Sequence, residues 1–170
     1  MRLRRYLMEN REEQIDLSVE FHTIIAGKER WWADESPARE QLAALHGAVL
    51  GKNGLNEHGV FVDCEKFTIG DCFGCQADIA LAETPAGHWL MTVSFQIADH
   101  DRGSLPSISD HKAFTSRDAA LQAGLEKLLI DCDDHIYRYN SHGGQYEKPA
   151  RRLRRLAREE LESLKQPALL

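Results

Sequence analysis

Two runs of alternating apolar residues, separated by the turn sequence "PAGH" at 85–88, restrict the fold more than any other feature of the chain. Side chains of a strand point alternately to opposite faces of a sheet, so strict alternation places one apolar set on a single face. That set comprises Ala77, Ile79 and Leu81 in the first run and Trp89, Met91, Val93, Phe95 and Ile97 in the second. The pattern predicts a long antiparallel hairpin with one buried face.

Two helices are predicted before this hairpin. Residues 9–26 place apolar side chains at spacings of three and four, which is typical of a helix with one buried face. The signals at 36–50 are stronger, because Ser36 is a suitable N-cap and Pro37 falls at the first helical position. Residues 60–69 then have the composition of a strand.

Two more helices are predicted after the hairpin. One begins at Thr115, which forms a capping-box pattern with Asp118. The element order is therefore α-α-β-β-β-α-α, and it predicts an α+β fold in which a three-stranded antiparallel sheet is packed by helices on one face. We expect an acidic α+β domain at 1–139, a linker at 140–149 and a C-terminal amphipathic helix at 150–170.

The net charge of −6 is unevenly distributed along the chain. Residues 6–150 hold 12 Lys and Arg against 24 Asp and Glu, a net charge of −12. Arg2, Arg4 and Arg5 add +3, and residues 151–170 add another +3 from six basic and three acidic side chains. A body this acidic repels nucleic-acid phosphates and attracts basic proteins. We therefore expect a non-enzymatic protein that binds a basic partner through an acidic surface, with simple solubility as the alternative reason for the charge.

The sequence predicts a cytoplasmic protein with no membrane partner. The N-terminal "MRLRRYLMENREE" lacks the apolar segment of a signal peptide. No run approaches the roughly 18 uncharged apolar residues of a membrane span. Without a secretion signal, the cysteines are expected to be reduced.

Four cysteines raise the question of a metal site. "CFGC" contains Cys72 and Cys75, and "CDDH" contains Cys132 and His135, so two ligand pairs of zinc-site spacing are present, with Cys64 as a substitute. A zinc-stabilised nucleic-acid-binding regulator, using the arginines of both termini, is therefore an alternative function. A redox pair normally opens a helix, whereas this one precedes a strand. We expect no cofactor, and we expect Cys72 and Cys75 to mark a turn.

Residues 99–112 form the richest polar segment. A hydrolase triad or a divalent-metal site could be drawn from its serines, histidines and aspartates, although no G-x-S-x-G motif accompanies them. A small metal-dependent enzyme built on the His100–His111 loop is thus a third possible function, and a solvated loop explains the same composition. For partner binding, the candidate carboxylates are Asp99, Asp101 and Asp110.

Two other segments suggest contacts. Trp31 and Trp32 are adjacent and cannot share one face of a regular element, so one of them is a candidate interface residue. The alternative is that both are half-buried at a helix junction.

In the last helix, arginines precede glutamates against the helix dipole, which suggests that they meet acidic groups of the protein's own body, a second copy or a nucleic acid. The arginines are Arg151, Arg152, Arg154 and Arg155. The leucine stripe Leu153, Leu156, Leu161 and Leu164 predicts a homodimer.

One resemblance covers residues 88–125. "HWLMTVSFQIAD", "GSLPSISD" and "AFTSRDAALQAGLEKLL" resemble segments of small uncharacterised proteins encoded on plasmids, prophages and other mobile elements. The resemblance implies an accessory function toward the host, including inhibition of host defence systems, and it carries no catalytic residues. The central α-β-β-β-α order also matches double-stranded RNA-binding domains, but "TSRDAAL" lacks the lysines with which those domains meet phosphate.

Overall fold

The computed structural model describes residues 13–33, 36–138 and 144–165. The helices are α1 (Ser18–Ile25), α2 (Pro37–Leu45), α3 (Arg117–Arg138) and α4 (Glu147–Lys165). The strands are β1 (Gln14–Asp16), β2 (Glu65–Cys72), β3 (Cys75–Glu83), β4 (Trp89–Ile97), β5 (His100–Arg102) and β6 (Lys112–Phe114). The fold is α+β, as the sequence predicts.

The alternating runs form the centre of one antiparallel sheet. β3 and β4 pair along their whole length, with Ala77 opposite Phe95 and Leu81 opposite Met91, which confirms the predicted hairpin. The strand order is β1-β6-β4-β3-β2, and β5 also pairs with β4. The prediction of three strands is wrong, because the described residues form a sheet of six. β1, β5 and β6 have three residues each, too few to show an alternation.

The predicted apolar face of the hairpin packs under α3 and α4. Ile79 and Val93 share one core with Leu125 of α3 and Leu153 of α4. α3 approaches β3 closely at Gly124, where a Cβ atom would lie 2.5 Å from Cγ2 of Ile79. Glycine at this position therefore permits the helix to lie directly on the strand.

A second core lies on the opposite face of the sheet, near the β3–β4 turn. Ala82 and Leu90 alternate with the predicted apolar set and so point to the other face of the sheet. They are buried there with Phe21 of α1 and Leu42 of α2. Helices therefore cover both faces, and the prediction of helices on one face is wrong. The alternation could not show this layer, because β3 is buried on both faces from Ile79 to Ala82.

Several predicted boundaries shift. In the predicted helix 9–26, the described part contains β1, and α1 begins only after Asp16, whose side chain accepts the Ser18 N–H at 2.9 Å. The predicted order therefore lacks a strand before the first helix. An aspartate that accepts the N–H two residues later favours a turn over a continued helix.

Two helix starts test the capping predictions. Ser36 caps α2 and Pro37 opens it, as predicted, and Ser36 Oγ accepts the Ala38 N–H. α3, by contrast, begins after Ser116, whose Oγ accepts the Ala119 N–H at 3.2 Å. The predicted cap at Thr115 is therefore displaced by one residue.

Candidate functional site

The cysteine pair marks a tight turn. Cys72 and Cys75 are direct cross-strand partners of β2 and β3, with Phe73 and Gly74 between them. Cys75 is buried and Cys72 is exposed, and both are free thiols. Arg152 of α4 lies 3.5 Å from Cys72 Sγ. The turn formed by the cysteine pair therefore lies under the start of α4, and Arg152 connects the two.

The other two predicted zinc ligands, Cys132 and His135, have different surroundings. Cys132 is fully buried in the core, and this burial raises the pKa of its thiol to about 12. His135 Nε2 lies 3.1 Å from His100 Nδ1, and its ring packs edge-on against Phe95. Within the described residues no group of three or more His, Cys, Asp and Glu side chains is placed to hold a metal ion. The four-ligand set of the zinc alternative is thus not assembled.

The serines and acids of the 99–112 segment bind one another. Asp110 Oδ2 accepts the Ser107 N–H at 2.7 Å, and the hydroxyls of Ser107 and Ser109 lie 2.6 Å apart. Burial raises the pKa of Asp110, which is half-buried and is not the exposed recognition carboxylate that the sequence suggests. The His111 ring packs 5.2 Å from that of Phe21. These contacts fold the loop and form no hydrolase triad.

The turn at Cys72 and Cys75 belongs to one end of the molecule, where four segments meet. Ala98 N–H donates to the Gly74 carbonyl at 2.8 Å, and Gly74 N–H donates to Gln96 Oε1 at 3.3 Å. The contact between His100 and His135 ties in α3, and that between Cys72 and Arg152 ties in α4. We call this region the hairpin end; it comprises residues 72–75, 97–100, 131–138 and 147–152.

The hairpin end carries the two most exposed large apolar side chains of the described residues. Phe73 is 84% exposed and Tyr137 is 86% exposed. Trp32, the predicted interface residue, is 59% exposed and stacks edge-on against the half-buried Trp31. The tryptophans belong to the layer of α1 and α2, because Trp31 packs on Phe21 at 5.5 Å. They therefore lie away from the hairpin end.

The carboxylates of the hairpin end divide into paired and unpaired groups. Asp133 lies 2.6 Å from Arg154, and Asp71, beside the turn, lies 2.9 Å from Arg152. Asp99 and Asp101 are exposed and form no ion pair within the described part of the chain. Of the three predicted recognition carboxylates, Asp99 thus belongs to the hairpin end, Asp101 follows just outside it on β5, and Asp110 lies outside it.

The arginines of α4 meet the protein's own acids. Besides the contacts of Arg152 and Arg154, Arg151 pairs with Glu147 at 2.7 Å and Arg155 approaches Glu159 at 3.9 Å. Of the three kinds of acidic partner that the sequence leaves open, the structure places the protein's own carboxylates on these side chains. Arg2, Arg4 and Arg5 lie outside the described residues.

The leucine stripe of α4 packs mainly within its own chain. Leu153 and Leu161 are buried and Leu156 is partly buried, whereas Leu164 is 42% exposed. α4 is therefore part of the same packed unit as α3 and the sheet. The homodimer stays a prediction, and these buried leucines do not support it.

Sequence reasoning missed Phe73 and Tyr137. Phe73 stands between two cysteines and resembles a core residue, but its position at the tip of a two-residue turn is a usable signal, since such tips point to solvent. Tyr137 lies near the end of a long helix, one residue from its last apolar position, and carries no comparable signal.

Comparisons with family models, curated proteins and solved structures find no match. Among the described residues, no helix combines the length and apolarity that crossing a membrane requires.

Proposed function

We propose that this protein is a non-enzymatic binding protein whose hairpin end docks on a basic protein partner, with Phe73 as the central anchor. The observation that carries the proposal is the 84% exposure of Phe73 at the tip of a turn that the neighbouring strands hold in place. Aromatic side chains are enriched among the residues that dominate binding energy at protein interfaces.

The rigidity of the turn supports an anchoring role. Gly74 adopts a φ of +77°, which favours glycine, and a Cβ atom there would come within 3.1 Å of Ala98. Two hydrogen bonds tie Gly74 to β4 and to the turn that follows it. A side chain presented by a fixed backbone loses little conformational entropy on binding, so most of its contact energy contributes to affinity.

Charge supports the basic character of the partner. Asp99, in the hairpin end, and Asp101, two residues further along the chain, form no ion pair among the described residues, and residues 6–150 carry a net charge of −12. Acidic surfaces accelerate association with basic ones and exclude nucleic acid. The resemblance to mobile-element proteins suggests a host protein that handles nucleic acid as the partner. The zinc-stabilised nucleic-acid regulator is less well supported, because Arg152 and Arg154 are engaged by Asp71 and Asp133.

The test compares matched surface variants in partner capture. Phe73→Ser removes the anchor, and Val19→Ser removes a similarly exposed apolar side chain, 76% exposed, from α1. We expect host proteins retained by the wild-type chain to be lost with Phe73→Ser and kept with Val19→Ser. Asp99→Asn with Asp101→Asn should weaken capture mainly at low salt, since exposed charges are screened beyond about 8 Å at physiological ionic strength.

Two results would contradict the proposal. One is equal capture of the same proteins by the wild-type chain and Phe73→Ser. The other is a partner whose affinity stays constant between low and high salt, because an acidic recognition surface must lose affinity as salt screens it.

A further inference from the structure

A cavity of about 510 Å³ opens beside β4, away from the hairpin end. The outer edge of β4 pairs with β6 at Trp89 and with β5 from Phe95 to Ile97. Between these points, no strand of the described residues covers the edge. The loop that follows β5 crosses this gap, and its Ser104 carbonyl accepts a hydrogen bond from the Thr92 hydroxyl at 2.9 Å. The cavity thus lies where the sheet lacks a strand under α3.

The walls of the cavity are largely apolar. β4 contributes Met91 and Val93 from the face that packs under α3, and α3 contributes Ala123 and Ile130. Phe114 of β6 closes one side. Small-molecule sites typically measure about 300–1,000 Å³ and combine apolar walls with a few polar groups. This cavity matches that description in size and in lining.

Three cationic side chains line the cavity, and they differ in whether an acidic side chain pairs with them. Lys127 is bound by Asp131, with Nζ and carboxylate oxygen 3.0 Å apart. Hydrogen bonds from Ser18, and to a smaller extent the charge of Lys112, lower the pKa of the Asp16 carboxyl group; Lys112 lies across from Asp16 in the register of β1 and β6 but forms no ion pair with it. Arg102 lines the cavity and forms no ion pair with any residue that the structure describes. Arg102 therefore offers a guanidinium to a ligand.

The two carboxylates of the lining already have donors. Asp110 accepts the Ser107 N–H at 2.7 Å, and Glu126 accepts the Gln122 side-chain amide at 3.0 Å. Glu126 is also buried. Two cationic side chains without an ion pair among the described residues, Arg102 and Lys112, thus line the cavity beside its apolar wall.

We infer that the cavity binds a small amphipathic carboxylate, with its apolar body against Met91, Val93 and Phe114 and its carboxylate on Arg102. A guanidinium binds a carboxylate through two parallel hydrogen bonds, which fixes the orientation of the ligand. This site is independent of the proposed partner surface, since no residue of the cavity lining belongs to the hairpin end.

The experiment is a titration of the full 19.3 kDa chain with octanoate, followed by amide chemical shifts in NMR spectra. Octylammonium and acetate serve as probes that lack the negative charge and the apolar body, respectively. We expect octanoate to shift the amides of Met91, Val93 and Ala123, and we expect both other probes to bind at least about tenfold more weakly.

Matched variants separate binding from folding. Arg102→Gln should lower the affinity for octanoate at least about tenfold, since a charge-assisted hydrogen bond is lost. Arg138→Gln, an exposed arginine on α3 outside the lining, should leave the affinity unchanged. The inference is overturned if octylammonium binds as tightly as octanoate, if Arg102→Gln binds octanoate normally, or if about 10 mM octanoate leaves these amides unshifted.

Discussion

Acid should destabilise this protein through one buried histidine. The His46 ring is fully buried against Phe61, and the His88 ring lies 6.2 Å away. Neither His46 nitrogen has a hydrogen-bond partner among the described residues. Burial, and secondly the neighbouring His88, lower the pKa of His46 from 6.5 to about 4. The folded protein therefore holds His46 neutral well below pH 6.5.

The sign and size of the effect follow from proton linkage. In the unfolded chain His46 binds a proton below its ordinary pKa of 6.5, whereas in the folded chain it does so only near pH 4. The unfolded state binds more protons in this window, so the free energy of unfolding falls as the pH drops. Each pKa unit is worth about 1.4 kcal/mol. The loss is therefore about 2 kcal/mol at pH 5 and approaches about 3 kcal/mol near pH 4.

The assay is urea denaturation at pH 7.5, 6 and 5 on the wild-type chain and on His46→Leu. The variant removes the proton site and keeps an apolar side chain, so at pH 7.5 it should be about as stable as the wild type. Between pH 7.5 and 5 the free energy of unfolding of the variant should fall by about 2 kcal/mol less than that of the wild type. His58→Gln, an exposed histidine, is the matched control and should retain the full loss.

A wild-type stability that is flat between pH 7.5 and 5 would refute this reasoning. So would a His46→Leu variant with the same acid sensitivity as the wild type. Some slope should remain in the variant, because burial also lowers the pKa values of His88 and His135.

Three further predictions concern the core and the thiols. Leu153→Ala should destabilise the chain by about 2–5 kcal/mol in urea denaturation, whereas Leu164→Ala, at the exposed end of the same stripe, should cost less than about 0.5 kcal/mol; equal effects would mean that α4 does not pack as described. A thiol reagent at pH 8 should label exposed Cys72 first and Cys132 last, since a pKa of about 12 leaves a thiolate fraction of about 10⁻⁴; early labelling of Cys132 in the folded state would contradict its burial. Excess EDTA should leave the thermal midpoint unchanged, because the described cysteines and histidines form no ligand cluster; a fall of several degrees would revive the zinc alternative.

The central part of the fold can be predicted from sequence because its signals are long. The runs ending at Leu81 and Ile97 alternate over enough residues to identify both the strands and their buried face. Ser36 and Pro37 likewise identify a helix start by local chemistry alone. These features follow from interactions between residues close in sequence.

The rest of the fold depends on contacts between distant segments. The three-residue strands β5 and β6 pair with β4, and β1 pairs in turn with β6, so each of them depends on a partner strand that its own sequence does not indicate. Leu90 is buried because α1 and α2 return to cover it.

The candidate site shows the same division. Asp99 and Asp101 are predictable as exposed charges, but the exposure of Phe73 follows from the pairing of Cys72 with Cys75, which places it at the tip of a turn. The sequence also suggests α4 as an assembly element. A leucine stripe has the same spacing whether it packs on its own chain or on a second copy.

Site-specific photo-crosslinking tests the role of the hairpin end most directly. Benzoylphenylalanine would replace Phe73 in one variant, Tyr137 in a second and Val19 in a third, and each would be irradiated in host lysate. We expect one basic protein to crosslink from positions 73 and 137 and not from position 19, with a yield that falls as salt rises. Crosslinks to that protein from position 19 but not from 73, or no protein captured from position 73, would show that the hairpin end is not the docking surface.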